Sequence, residues 1–307
     1  MNERIVDMRT HREDPLGYVE PLFRPPSEGR SAIVQATLGC SWNRCAYCDM
    51  YASKAYTVRP EEVVERQIAA LGREIPSVRK AFVADGNAFG LPYDYLMRIA
   101  ELVRQHLPRV ERLTAYALPG DIRRKSPQEL EVLRAAGYTM VYIGVESGHD
   151  PLLRAVNKSE DAASSEAGIL KARAAGIRTS IMIINGLGGK AFARGHAQDS
   201  AALMNRVQPE YLSTLSLFLP RGLEDYQARF GGEYVPQDSV ELLEELREFI
   251  AGLELEETVF RSNHVSNLVP LAGTLGREKA RVLGTVDGMI AYAQENTLQR
   301  FRGDRGY

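Results

Sequence analysis

The stretch Cys40-Ser-Trp-Asn-Arg-Cys45-Ala-Tyr-Cys48 holds every cysteine of the 307-residue chain, three thiols within nine residues. Packing alone does not gather cysteines in this way, and an odd number cannot all be consumed by intramolecular disulfides. A structural zinc site takes four protein ligands, and a catalytic one takes three with an open position. His11, His106, His149, His196 and His264 are all distant in sequence, so none is a local fourth ligand. A 4Fe–4S cube on three thiolates, with one iron left open, uses the count without remainder. A zinc ion with a remote fourth ligand is the alternative.

Outward from this stretch the periodicity alternates. Ala32–Leu38 reads as an apolar strand running directly into the cysteine loop. Pro60 opens a helix with Val64, Ile68 and Leu71 on one face. Strands follow at Ala81–Ala84, Leu113–Ala117, Met140–Val145, Thr179–Ile184 and Tyr211–Phe218, with helices between them. Ser126-Pro-Gln-Glu129 is a capping box with proline at the first helical position. Six strand–helix units at about 30-residue spacing predict a parallel sheet with right-handed crossovers. Strands apolar on both faces suit a barrel or a doubly wound sheet.

Before these units, residues 1–30 carry Pro15, Pro21, Pro25 and Pro26 and read as an irregular arm, either frayed or docked across the domain. After them, residues 223–307 predict a helix over 239–253, a short strand at Thr258–Phe260 and a final helix burying Ala280, Leu283, Val286 and Ile290. The expected organisation is an arm (1–30), an α/β partial barrel of six units (31–222) and a C-terminal α/β closure element (223–307).

Composition narrows the function classes. A hydrophobic fraction of 44% and a charged fraction of 25% are those of a globular protein with a full core. A net charge of −2 leaves no electrostatic footprint for bulk nucleic-acid binding. The N-terminus is too charged for a signal peptide, and no apolar run approaches the roughly 20 residues that span a bilayer. Clustered reduced thiols without a disulfide framework point to the cytosol.

The unusual residues fall at strand ends. The cysteines follow the first strand, Asp85-Gly86-Asn87 the second, Glu146-Ser147-Gly148 the fourth and Asn185-Gly-Leu-Gly-Gly189 the fifth. In parallel α/β folds these loops converge on one face, where active sites lie. The glycine run lacks both the Lys-Ser/Thr of a P-loop and the spacing of a dinucleotide fingerprint. Taken singly, Asp85-Gly86-Asn87 reads as an ordinary turn. Polar residues interrupt the later strand-to-helix passage at Arg261, Asn263, His264 and Asn267, which makes them substrate-side candidates beside the plainer reading of a hydrogen-bonded turn.

The cysteine loop, with an aromatic residue immediately before its last cysteine, resembles the radical S-adenosylmethionine (SAM) superfamily over roughly Ser31 to Gly222. Gly144-Val-Glu146-Ser-Gly148 is similar to the fourth-strand signature of the branch holding oxygen-independent coproporphyrinogen dehydrogenase and the radical methylthiotransferases. Arg24–Glu28, Asp85–Asn87 and Ser262–Asn267 are similar to segments of functionally unassigned members. The resemblance implies an oxygen-sensitive enzyme with a 4Fe–4S cluster on Cys40, Cys45 and Cys48, SAM on its open iron, and an electron donor such as flavodoxin or ferredoxin.

It further implies backbone contact to SAM from Asp85, Gly86 and Asn87, a ribose contact from Glu146 beside Ser147, and an adenine wall from Tyr47, Gly186 and Gly188. Arg154 or Lys158 would pair with the SAM carboxylate. The family spacing between the first two cysteines is three residues, and here it is four. Three cysteines leave none for a second all-cysteine cluster, so the expected reaction is hydrogen abstraction from a small molecule. RNA modification, and an iron–sulfur carrier or scaffold without SAM chemistry, are the alternatives.

Overall fold

A computed structural model describes residues 16–296. The expected strand 32–38 is split in two. β1 (Ala32–Gln35) enters the main sheet, whereas β2 (Thr37–Leu38) turns away to pair with β3 (Thr57–Val58) across the cysteine loop. The repeating units follow: α1 (Glu61–Glu74), β4 (Lys80–Ala84), α2 (Tyr93–His106), β5 (Arg112–Tyr116), α3 (Pro119–Arg124) and α4 (Pro127–Ala135). Next come β6 (Tyr138–Glu146), α5 (Asp150–Ala155), α6 (Ala162–Ala174), β7 (Arg178–Asn185), α7 (Gly189–Val207) and β8 (Tyr211–Ser216). β1, β4, β5, β6, β7 and β8 are parallel neighbours in that order, the partial (βα)6 barrel the alternation predicts.

The C-terminal segment continues the same sheet. α8 (Leu223–Arg229) and α9 (Ser239–Gly252) precede β9 (Val259–Ser262), which adds parallel to β8. β10 (Leu271–Thr274), not foreseen from the sequence, pairs antiparallel with β9. α10 (Leu275–Glu295) buries Val282 and Val286, while Ala280 is exposed. Ala280, expected on the inner face, is two residues from Val282, about 200° around the helix, and so lies off the face that Val282 and Val286 bury.

The two faces of the sheet pack differently. Val34, Val83, Val141, Ile143, Ile181, Leu212 and Phe260 point at the helices and join the large outer core. Ile33, Phe82, Ala84, Met140 and Tyr142 form a smaller cluster on the other face, against Tyr18, Leu22, Tyr116 and Tyr211. On β7 buried positions alternate with half-buried ones, so that strand has one covered face and one more open face.

Tyr18 and Leu22 belong to the arm, whose residues 16–30 are docked; residues 1–15 lie outside the described residues. Tyr18 donates to the Ile33 carbonyl at 2.7 Å. Val19 and the Gln35 side chain exchange two hydrogen bonds of 2.9 Å. At Pro26–Glu28 a 3₁₀ turn delivers a fully buried carboxylate that accepts from Tyr142 Oη at 2.6 Å, Arg112 Nη2 at 2.9 Å and Ser31 Oγ. Isolated, such a charge is costly; held by three donors it ties the arm to β5 and β6. Glu28→Ala strands Arg112 and removes all three bonds, so urea unfolding should register a loss of about 3–5 kcal/mol.

Candidate functional site

The cysteine loop is stapled from two sides. On one side stands the turn after β4. The Asp85 carboxylate accepts the Gly39 amide at 3.0 Å, Gly86 N donates to the Gly39 carbonyl at 3.0 Å, and Asn87 Oδ1 accepts the Ser41 amide at 3.0 Å. Three consecutive residues therefore grip the residues on either side of Cys40. Gly86 is required by approach: a Cβ there would stand 2.8 Å from Cys40 Cβ and 2.9 Å from the Tyr51 ring.

On the other side, the end of α5 holds the middle of the loop. Ala46 N donates to the Val156 carbonyl at 2.9 Å, Trp42 Nε1 to the Asn157 carbonyl at 2.7 Å, and Asn157 Nδ2 to the Arg44 carbonyl at 3.2 Å. Trp42 is thus a hydrogen-bonded strut, a role its type alone did not disclose. The four-residue gap contains a left-handed turn at Asn43, φ +49°, whose side-chain Nδ2 donates to the Tyr51 and Lys54 carbonyls. Asparagine tolerates that conformation better than most residues with a Cβ.

Lys54 anchors the staple. Its ammonium, 5% exposed, lies 3.0 Å from Asp85 Oδ2, which is wholly buried, and donates to the Val19 and Pro21 carbonyls at 2.6 Å each. Burial pushes the Asp85 carboxyl up from its ordinary value, against Lys54, the Gly39 amide and Gln35, which lower it. The Asp85 side chain is therefore committed to structure.

Cys40, Cys45 and Cys48 are free and partly exposed. Burial pushes the Cys45 thiol up, and that of Cys48 to about 11, with the neighbouring cysteines adding to both shifts. Thiolates this close to one another repel, and a cationic group between them offsets that repulsion. Among the described residues no three His, Cys, Asp or Glu side chains converge tightly enough to hold one ion. Three thiolates are the donors an iron–sulfur cube takes, one on each of three irons with the fourth left open.

Beside the thiols stands a buried polar pair. Glu146 takes a left-handed φ of +68° at a register shift between β6 and β7. A residue with a Cβ holds that conformation only where its surroundings impose it. Its carboxylate lies over Gly144, where a Cβ would come within 2.0 Å of Oε1. Lys158 Nζ is 3.7 Å from that oxygen and donates to Tyr47 Oη at 3.4 Å. Burial raises the Glu146 carboxyl against the pull of Lys158. Burial opposes the Lys158 charge, yet Glu146 and the three thiols outweigh it, and the ammonium is raised.

The structure thus brings Cys40, Cys45, Cys48, Tyr47, Glu146 and Lys158 together, and sets Asp85, Gly86 and Asn87 beneath Cys40. Arg154 is exposed on α5. Ser147 is buried, 2.8 Å from His196 Nδ1. In the glycine loop the Gly186 amide donates to Glu245 Oε1 at 2.6 Å, and the Gly186 and Leu187 carbonyls accept from Tyr234 and Tyr226 at 3.0 and 2.7 Å. Gly188 packs against Leu152 and Phe192. Asn267 is spent on structure, bonding Ser216 N, the Thr214 carbonyl and Ser262 Oγ. His264, half-buried with its pKa lowered by burial, bonds Ser266, while Arg261 and Asn263 are exposed. Sequence reasoning missed Glu245 and His196. Glu245 lies on the apolar stripe of α9 between Leu242 and Phe249, and a carboxylate at such a position is itself a signal.

A parallel partial barrel carrying three thiols and a buried Lys–Glu pair at its C-terminal mouth defines a cofactor-dependent α/β enzyme fold. The model of the radical SAM superfamily matches residues 34–191, and the chain belongs to that superfamily. Its members are enzymes that use a 4Fe–4S cluster and SAM for radical chemistry. The fold is similar to coproporphyrinogen III oxidase from Escherichia coli, with 19% identity, TM-score 0.55, and coverage of 72% of this chain and 51% of that one. It is also similar to methylornithine synthase, with 10% identity, TM-score 0.51, and coverage of 88% and 83%. A third similar structure, anSMEcpe with bound AdoMet, has 13% identity, TM-score 0.52, and coverage of 72% and 58%. The chain spans about half the length of the coproporphyrinogen oxidase. No curated protein matches the sequence. Among the described residues no helix is long and apolar enough to cross a membrane.

Lys54→Met leaves Asp85 buried without its cation and should destabilise the protein by about 3–5 kcal/mol. The Lys54→Met/Asp85→Asn double variant should lose clearly less than the sum of the single changes, a coupling that chemical denaturation of all four proteins measures.

Proposed function

We propose that Cys40, Cys45 and Cys48 hold the 4Fe–4S cluster and that the protein abstracts hydrogen from a small-molecule substrate at the C-terminal mouth of the barrel. The carrying observation is the doubly stapled loop: all three thiols ride on a segment fixed by Asp85–Asn87 and by Val156–Asn157, beside the buried Glu146–Lys158 pair. When bound, the cluster and SAM would supply hydrogen-abstracting radical chemistry: one electron from the donor, passed through the cluster, would cleave the sulfonium of SAM to methionine and a 5′-deoxyadenosyl radical.

The residues of the chain bind, orient and shield. Lys158, 6% exposed, is better placed than the exposed Arg154 to neutralise the SAM carboxylate. Glu146 offers a carboxylate to ribose hydroxyls, and Tyr47 a face to adenine. Backbone oxygens of the Asp85–Asn87 turn would serve the SAM amine, since the side chains of Asp85 and Asn87 are already engaged. Arg229 of α8, donating to the Cys45 carbonyl at 3.4 Å, supports a closing role for residues 223–307 beside a 31–222 barrel. At the far side of the mouth Arg261, Asn263 and His264 are offered to the substrate, with Asn267 holding their loop. An electron donor such as flavodoxin or ferredoxin in the cytosol would complete the system.

The test is anaerobic reconstitution, reduction and electron paramagnetic resonance with and without SAM, with an assay for 5′-deoxyadenosine. A reduced 4Fe–4S signal that changes on adding SAM, and deoxyadenosine far above a Cys45→Ala control, are the expected results. A signal indifferent to SAM, with no deoxyadenosine above that control, refutes the proposal.

A further inference from the structure

The glycine loop after β7 is held from outside the barrel. Besides the Gly186 amide, Glu245 accepts from Gln237 Nε2 at 3.0 Å, and its Oε1 lies 3.7 Å from His196 Nε2. His196 in turn meets Ser147 Oγ at 2.8 Å, and Ser147 Oγ accepts the His149 amide at 3.0 Å. Two buried polar groups therefore stand side by side without a hydrogen bond between them: Glu245 of α9 with the glycine loop, and His196 of α7 with the Glu146-Ser147-Gly148 turn. Tyr226 and Tyr234 add the two carbonyl contacts, and Leu242 packs where a Cβ on Gly186 would come within 2.6 Å.

The cost of this arrangement argues that it has a use. Glu245 is 3% exposed and His196 2%. Burial pushes the Glu245 carboxyl up to about 7, against the Gly186 and Gln237 hydrogen bonds, and drives the His196 imidazole down to about 4. A helix that only needed to pack would place a leucine at 245, as it does at 242 and 246. A carboxylate does what leucine cannot: it fixes the direction of the one amide that a left-handed glycine, φ +82°, turns away from the strand.

We infer that Glu245, with Tyr226 and Tyr234, is a clasp through which the C-terminal element positions the glycine loop for the nucleoside part of SAM. Glu245 is a positioning residue, acting through the Gly186 amide. The inference rests on the proposed SAM site and adds that the affinity of that site is set from α9.

The test measures SAM binding to reconstituted protein by equilibrium dialysis, with iron content and amide hydrogen exchange of residues 185–189 read in parallel. Relative to wild type, Glu245→Ala should bind SAM at least tenfold more weakly, with unchanged iron content and faster exchange at Gly186. Tyr234→Phe, which removes one hydroxyl, should weaken binding about threefold, and Glu245→Gln, which keeps an acceptor for Gly186, should recover most of the affinity. Alanine and phenylalanine variants that bind SAM within twofold of wild type with normal iron content overturn the clasp. If Glu245→Ala does not fold, Tyr234→Phe decides by the same criterion. Wild type that fails to bind SAM at all overturns the underlying site assignment instead.

Discussion

The grip of Asp85-Gly86-Asn87 on Gly39-Cys40-Ser41 is the constraint on which the rest of this molecule depends. A loop carrying three thiols would, left alone, sample many arrangements, and each ordered residue costs about 1–2 kcal/mol of conformational entropy. Here the carboxylate, the glycine amide and the carboxamide of one turn take successive backbone groups of the loop. The turn is rigid because it ends a central strand paired on both sides. The rigidity of the sheet thereby passes to the thiols, and Ala46 adds a second anchor by packing among Leu152, Val156 and Leu187.

The same grip explains why the arm matters. Asp85 is buried and charged, conditions that need a cation, and Lys54 supplies it while also gathering the Val19 and Pro21 carbonyls. Arm, cysteine loop and β4 turn thus share one ammonium. Glu28 repeats the device with Arg112 and Tyr142. Two buried carboxylates, each with several donors, fasten to the barrel a proline-bearing segment that has little secondary structure of its own.

On the opposite side of the mouth, the C-terminal element is continuous with the barrel. β9 adds to β8 in parallel, and α8 and α9 reach the cysteine loop and the glycine loop. A six-unit barrel leaves an open edge, and unpaired strand edges are costly or hazardous. β9 and β10 cover the β8 edge, and the helices that accompany them close over the loops where chemistry is proposed.

Much of this was legible in the sequence, for a physical reason. Strand–helix alternation is a local pattern of hydrophobicity and turn chemistry, so the six units, the Ser126–Glu129 capping box and the buried stripe of α9 could be read directly. The strand-end position of the cysteines, of Asp85–Asn87 and of Glu146–Gly148 followed from the same pattern. Partnership did not. Nothing local says that Lys54 meets Asp85 or that Trp42 bonds Asn157, nor that Glu245 accepts the Gly186 amide 59 residues away. Nor does it separate Lys158, turned in toward Glu146, from Arg154, four residues earlier and exposed. By itself the sequence determined the strand–helix alternation and the fold class and marked the three thiols as candidate ligands, because periodicity and residue chemistry are local. Only the tertiary structure decided which polar groups hold the loops, because those contacts form between segments that only the closed sheet brings within hydrogen-bond range.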